Sequence, residues 1–204
     1  MSMKVEKFNV AQGRPRAFDI DEALEQALHL FWRKGYLGTS LTDLTEAMGI
    51  NRPSLYAAFG NKETLFRKAL DRYRDRQTAY LREALAEPTA RKVIERIMHG
   101  VVDLVTNPSN PSGCLFAQSL HSCADPDDPL RQELVERRVS GEAAIRDRFE
   151  RAVLEGDLPS DTDPTALARF VVTVNFGMSV QAASGASRAE LLPVVQTALR
   201  ACPI

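Results

Sequence analysis

The chain has 204 residues, 44% of them hydrophobic and 26% charged, with a formal net charge of -1. These bounds fit a globular protein with a full hydrophobic core in one large or two small domains. They exclude nucleic-acid binding by bulk charge, while leaving room for a basic cluster on a small head offset by an acidic body. Three widely spaced cysteines do not suggest a disulfide framework. The N-terminal residues carry no apolar signal core, and the most apolar stretch, Phe170 to Val180, is broken by Thr173, Asn175 and Ser179 and is too short to span a bilayer. A cytoplasmic protein without a membrane partner is expected.

Residues 1–17 have no helical period, and Gly13-Arg14-Pro15-Arg16 stands directly ahead of the first helix. Two arginines beside a proline suit a minor-groove or phosphate-contacting arm, with Arg16 the better placed; a frayed terminus is the alternative before about Gln12. Asp19 can cap a support helix whose stripe is Ile20, Ala23, Leu24, Ala27, Leu28 and Phe31. Gly35 ends it, and His29 lies off the stripe, facing solvent. Tyr36 is expected to pack into a small head that has little other core.

Ser40 then precedes Leu41, Leu44 and Met48 at helical spacing, and Gly49 stands where a left-handed residue closes the helix. Asn51 can cap a second short helix with Pro53 in its first turn, Leu55 and Phe59 as its apolar stripe, and Gly60 at its end. Two short helices so joined, the second with few core residues, match a helix-turn-helix whose second helix enters a DNA groove. Ser40 and Thr42, at a helix N-terminus, can offer hydroxyls and amides to a phosphate. Arg52, Ser54, Leu55 and Tyr56 lie where base edges or phosphates would be reached, with a core tyrosine the alternative for Tyr56.

Tyr56, Phe59, Lys62, Leu65 and Phe66 in LYAAFGNKETLF, behind TSLTDLTEAMGI, resemble the signature of the tetracycline-repressor (TetR) family of bacterial regulators. The resemblance covers roughly the first third of the chain. It implies an all-α fold with a three-helix DNA-binding domain, residues 1–66, and a larger helical ligand-binding and dimerising domain, residues 67–204. It also implies Tyr56 and Lys62 as phosphate contacts. The family often carries a larger residue at the position of Ala57, so base reading there is reduced to a methyl contact at most.

Asn61 caps a long helix whose stripe runs from Leu65 and Phe66 through Ala69, Leu70, Tyr73, Tyr80 and Leu81 to Leu85. Its interleaved arginines and aspartates read as a solvated face, and a helix that starts at DNA and ends in the next domain can couple the two. Thr89 caps a helix through Leu104, and a Pro/Asn/Ser/Gly loop leads to a helix bearing Cys114, Leu115, Phe116 and Leu120. A charged helix runs from Leu130 to about Leu154 with Phe149 inward. Pro164 to Ala183 is apolar over nearly its whole circumference, which requires burial on all sides and, in so small a protein, a second subunit on one of them. The expected dimer contacts are Phe170, Val174, Gly177, Gln181, Leu191 and Val195; the expected effector contacts are Cys114, Phe116, Phe149, Phe170 and Asn175. Asn175 and Gln181 suit either a ligand cavity or a hydrogen bond across the dimer.

No phosphate-binding glycine loop, nucleophile elbow or convergent acid–base set is present, so neither an enzyme nor a cofactor is expected. His99, His121, Cys114 and Cys123 fit no compact zinc spacing, and no metal is expected. The resulting expectation is a repressor that binds a palindromic double-stranded operator as a homodimer and is released by a small molecule. Cys114 at a helix start keeps a thiol-sensing regulator open. A helical enzyme, or an interaction module without an operator, is the alternative of another class.

Overall fold

The computed structural model describes residues 18–122 and 128–203, so Arg14 and Arg16 of the expected arm, Cys123 and the side chain of His121 lie outside it. Asp19 starts the first helix by accepting hydrogen bonds from the amides of Asp21 and Glu22. The helices are α1 Ile20–Lys34, α2 Leu41–Met48, α3 Arg52–Phe59, α4 Lys62–Arg72, α5 Ala79–Leu85, α6 Ala90–Val105, α7 Leu115–Ser122, α8 Pro129–Leu154, α9 Pro164–Ala183 and α10 Arg188–Ala201. Among the described residues there is no strand.

α1 to α4 form a head around Leu28, Phe31, Leu44, Leu55, Phe59 and Phe66, all at most 2% exposed. Phe31 meets Phe66 edge-on at 5.0 Å, and the Tyr36 ring lies 5.0 Å from Phe66, as a small head short of core requires. α1 buries more than its expected stripe, adding Leu30 and Trp32. His29 is half-buried beside Glu25, at 3.6 Å, rather than turned to solvent. The α2–α3 turn uses Gly49 at φ 64° and ψ 30°, a left-handed conformation that favours glycine.

The long helix expected from Lys62 to Leu85 is interrupted. α4 stops at Arg72, a π-turn spans Tyr73–Gln77, and α5 resumes at Ala79. At the break the Thr78 hydroxyl donates to the Arg74 carbonyl at 2.7 Å, the acceptor that its own amide would use in an α-helix. That amide turns instead to the Tyr73 carbonyl, one residue further back, at 3.3 Å. The arginines of α4 are not simply a solvated face either. Arg72 turns in to Asp21 and Glu25 of α1, while Arg67 reaches Glu133 of α8 at 2.6 Å and Asp71 receives Arg137 at 2.7 Å.

α6, α8, α9 and α10 enclose the body's core, with α5 against α6. Gly100 on α6 lets the Tyr80 ring lie on the helix backbone, since a Cβ there would sit 2.2 Å from the ring. The head's core runs on into the body through Leu104, Leu115, Leu130 and Leu134.

By length and composition α9 could cross a membrane, and its 20 residues exceed the apolar stretch visible in the sequence. It nevertheless packs Leu167, Ala168, Val171, Met178 and Ala182 into the body's core. Its burial is one-sided: Phe170 and Val180 are 37% and 51% exposed, and Gly177 is open. α10 corrects part of the expected dimer surface. Leu191 and Val195, with Ala198 and Leu199, form a stripe buried within the same chain, because α10 lies against α6 and α9; Val194, at 43%, is a large apolar residue left exposed.

Candidate nucleic-acid interface and the cavity behind it

The start of α2 is a capping box. The Ser40 hydroxyl accepts from the Asp43 amide at 3.0 Å and donates to the Asp43 carboxylate at 2.7 Å, and that carboxylate also accepts from Lys34 at 2.7 Å. The hydrogen bonds from Lys34 and Ser40 hold Asp43 well below the usual carboxylate range. The Ser40 oxygen is therefore committed to the cap, which leaves it less free for a phosphate than its position suggests. Thr42, two residues along, is exposed and accepts from the Arg52 guanidinium at 3.0 Å, tying the start of α3 to the start of α2.

Asn51 caps α3 by accepting from the Ser54 amide at 2.9 Å. The helix then divides by rotation. Leu55 and Phe59 are buried at 0% and 2%, while Arg52, Pro53, Ala57 and Tyr56, the last at 49%, face solvent. Leu55 was expected among the DNA contacts; it is instead a core residue that fixes α3 to the head, and Ser54 is half-buried beside it. Asn61 caps α4, accepting from the Thr64 amide at 2.8 Å, and Lys62 opens that helix. The Lys62 ammonium lies 4.3 Å from the centre of the Tyr36 ring, and burial lowers its pKa while the Asp43 charge opposes that.

Behind the head lies a cavity of about 590 Å³. Ile97, Val101, Leu104 and Val105 of α6, Ile145 of α8, and Val172 and Phe176 of α9 make most of its wall. Of the residues expected to contact an effector, Cys114, Phe116 and Asn175 line it. Phe149 does not: it is fully buried in the body's core. Phe170 does not line it either, because it points out of the body from α9. Exposed Glu136, Ser140 and Ala144 mark the outer side of the cavity.

Tyr73, the first residue of the π-turn, closes the inner end. Its hydroxyl donates to the Cys114 sulfur at 3.3 Å, and its ring meets Trp32 edge-on at 4.8 Å and Phe116 at 5.4 Å. The Trp32 indole N–H donates to the Gly113 carbonyl at 3.1 Å. Burial pushes the Tyr73 and Tyr80 hydroxyls up, so both stay neutral across the physiological range. Among the described residues, no three His, Cys, Asp or Glu side chains gather into a group that would hold a metal ion.

The sequence profile of bacterial regulatory proteins of the tetR family matches residues 23–69, and that of the tetracyclin repressor-like C-terminal domain matches residues 90–191. The HTH-type transcriptional repressor ComR of Escherichia coli K12 is 35% identical over 195 residues, 95% of this chain and 93% of its own length. The chain belongs to the TetR family of transcriptional regulators. Within the family, a cysteine mutant of the regulator CifR, solved in complex with 26-bp double-strand operator DNA, superposes with a TM-score of 0.88 at 44% identity, over 94% of this chain and all of that one. A TetR regulator from Rhodococcus sp. RHA1 is 45% identical over 91% of this chain and all of its own, with a TM-score of 0.63.

The residues that join head to body in this TetR-family chain left few signs in the sequence. Trp32 carried one signal, as the single tryptophan of the chain, but it falls beside the α1 stripe rather than on it. Tyr73 looked like one more core position of a continuous helix.

Proposed function

We propose that this TetR-family regulator is a repressor that holds a palindromic operator as a homodimer and is released when a small molecule enters the cavity behind its head. The observation that carries the reading is the seam at Tyr73. One residue touches the cavity through Cys114 and Phe116 and the head through Trp32, so occupancy of the cavity and the position of the head share a contact. Thr42, Arg52 and Tyr56, exposed on the two helices of the helix-turn-helix, would meet phosphates and base edges, with Lys62 swinging from the Tyr36 ring to a phosphate. Support comes from the repressor named ComR and from the CifR mutant solved on its operator.

The occupant of the open side of α9 is a second copy of this chain. Phe170, Val174, Gly177 and Gln181 recur every three or four residues on one face, and Gly177 has no atom within 4 Å of where a Cβ would stand, so a partner backbone can approach closely. Residues up to about 66 would then act as the reading head and the remainder as the sensing and pairing body. A regulator that works on bacterial DNA acts in the cytoplasm.

Effector binding would shift the population toward a spacing of the two heads that no longer fits successive major grooves, about 34 Å apart per helical turn. Footprinting of the full-length protein over its own promoter, with and without effector, tests this. A protected palindrome lost on effector addition is expected, and operator affinity unchanged at saturating effector would overturn the release mechanism. Lys62→Ala should weaken binding to every DNA sequence and lower the salt slope by about one per copy. A second reading rests on Cys114, whose sulfur borders the cavity and accepts from Tyr73: a thiol-reactive effector would break that bond, and Cys114→Ser would abolish the response to oxidants or electrophiles.

A further inference from the structure

The cavity's chemistry narrows what can fill it. Three arginines line it, and each is already paired with a carboxylate of the protein. Arg74 lies 3.0 Å from Asp75, Arg137 sits between Asp71 at 2.7 Å and Glu133 at 2.8 Å, and Arg138 lies 3.2 Å from Glu142. Glu142 is further neutralised by Arg169 at 3.0 Å. An anionic ligand would have to displace one of these pairs. A cationic ligand would meet Glu136, which is exposed on the outer side, so its charge would remain in water. A charge carried to the inner end would be buried without a partner, which is strongly disfavoured.

The hydroxyls of the lining divide as clearly. Among the described residues they belong to Tyr73, Thr78, Tyr80, Ser140 and Ser179. Tyr73 donates to the Cys114 sulfur at 3.3 Å, Thr78 to the Arg74 carbonyl at 2.7 Å and Ser179 to the Asn175 carbonyl at 2.9 Å. Ser140 is exposed on the outer side. The Tyr80 hydroxyl has no hydrogen-bond partner among the described residues, and it is open to water rather than sealed in the packing as the Asn175 side-chain oxygen is. Burial, with the Cys114 thiol nearby adding to it, pushes this hydroxyl's pKa up and keeps it protonated. A hydroxyl at once deep in the body and open to water faces the void. Its ring is held in place, lying on the α6 backbone at Gly100, where a Cβ would stand 2.2 Å from it. A phenol donates well and accepts poorly, because the ring draws on its oxygen lone pair, so the group that complements it is an acceptor.

We infer that the effector is an uncharged, mainly hydrocarbon molecule with a carbonyl or comparable acceptor oxygen, which receives the Tyr80 hydroxyl's hydrogen bond while the carbon skeleton packs against Ile97, Val101, Ile145, Val172 and Phe176. Tyr80 is the second residue of α5, just beyond the π-turn, so a ligand held there grips the joint that leads back to the head. This inference rests on the reading that the cavity is the effector site.

The test uses four probes with one eight-carbon skeleton: acetophenone, ethylbenzene, phenylacetate and 2-phenylethylammonium. Each is titrated calorimetrically at neutral pH into the full-length protein, Tyr80→Phe, Tyr73→Phe and the cavity-filling Val101→Phe. Acetophenone should bind more tightly than either ion. Tyr80→Phe should weaken acetophenone roughly fivefold, the worth of one net hydrogen bond, without weakening ethylbenzene. Tyr73→Phe removes a hydroxyl that is already paired, so it should treat the two neutral probes alike, and Val101→Phe should weaken both. Tighter binding of either ion, acetophenone unaffected by Tyr80→Phe or weakened no more than ethylbenzene, the same selective loss in Tyr73→Phe, binding untouched by Val101→Phe, or no binding of any probe would each overturn the inference. Operator affinity is measured in parallel. If acetophenone binds as expected but leaves that affinity unchanged, the release mechanism fails while the site's chemistry stands.

Discussion

The head and the body spend the same kind of side chains in opposite ways. In the head, Phe31, Phe59, Phe66, Leu28 and Leu55 are packed until none is more than 2% exposed, and Phe31 meets Phe66 edge-on. In the body, leucine, valine, isoleucine and phenylalanine from α6, α8 and α9 surround about 590 Å³ of empty space. A close-packed interior transmits strain and keeps α3 at a fixed angle to α4. A hollow one forfeits dispersion contacts along its lining, and a ligand of the right shape can restore them. The difference gives rigidity to the part that meets DNA and compliance to the part proposed to admit a molecule.

The sharpest test is to make the same cut on both sides. Phe66→Ala in the head should cost about 3–5 kcal/mol in urea unfolding, because its ring is fully buried against Phe31 and Tyr36. Phe116→Ala, which only enlarges an existing void, should cost under about 2 kcal/mol; equal losses would erase the contrast. Next in size is Tyr56→Ala. It should weaken operator binding by about 1.5–3 kcal/mol if the phenol meets a phosphate, with the unfolding midpoint unchanged because the side chain is half exposed. Val101→Phe should move stability by no more than about 1 kcal/mol while removing the effector response, since the added ring enters the void rather than a packed core.

The smallest effect concerns the bracket between head and body. Burial pushes the Glu133 carboxyl up, but hydrogen bonds from Arg67 and Arg137 outweigh it and leave it below its usual value. A carboxylate with a depressed folded pKa adds stability above its unfolded value, about 4.3, and that stability is lost as pH falls through the lower folded value. The unfolding midpoint should therefore drop below about pH 4, and by less in Glu133→Gln, when followed by urea titration at each pH.

The head was largely legible because its signals are local. Asp19, Ser40, Asn51 and Asn61 each cap a helix through an amide two or three residues away, and those spacings are written in the chain. What failed there was rotation. Leu55 and Tyr56 are neighbours about 100° apart on an eight-residue helix, and only the packing of α1 and α4 decides which one faces inward. The body was less legible because its questions concern volume. Phe116 and Phe149 both sit on inward-facing positions, yet one borders the void and the other is buried in the core away from it. Leu191 and Val195 gave the same signal as Phe170 and Val174, but an apolar stripe does not say whether its own chain or another will cover it. The π-turn escaped because nothing in the helical pattern marks the break: the Thr78 hydroxyl bonds back to Arg74 just as Thr173 and Thr197 bond back within unbroken helices.

The bond from the Trp32 indole to the Gly113 carbonyl also makes the protein its own optical gauge. With a single tryptophan in the chain, all indole fluorescence comes from the contact between α1 and the loop that leads to Cys114. A ligand that loosens this contact would expose the ring to water and move its emission to longer wavelength, whereas one that merely stiffened the body would leave the spectrum in place. Movement of the reading head can thus be followed on unlabelled protein, in the absence of DNA.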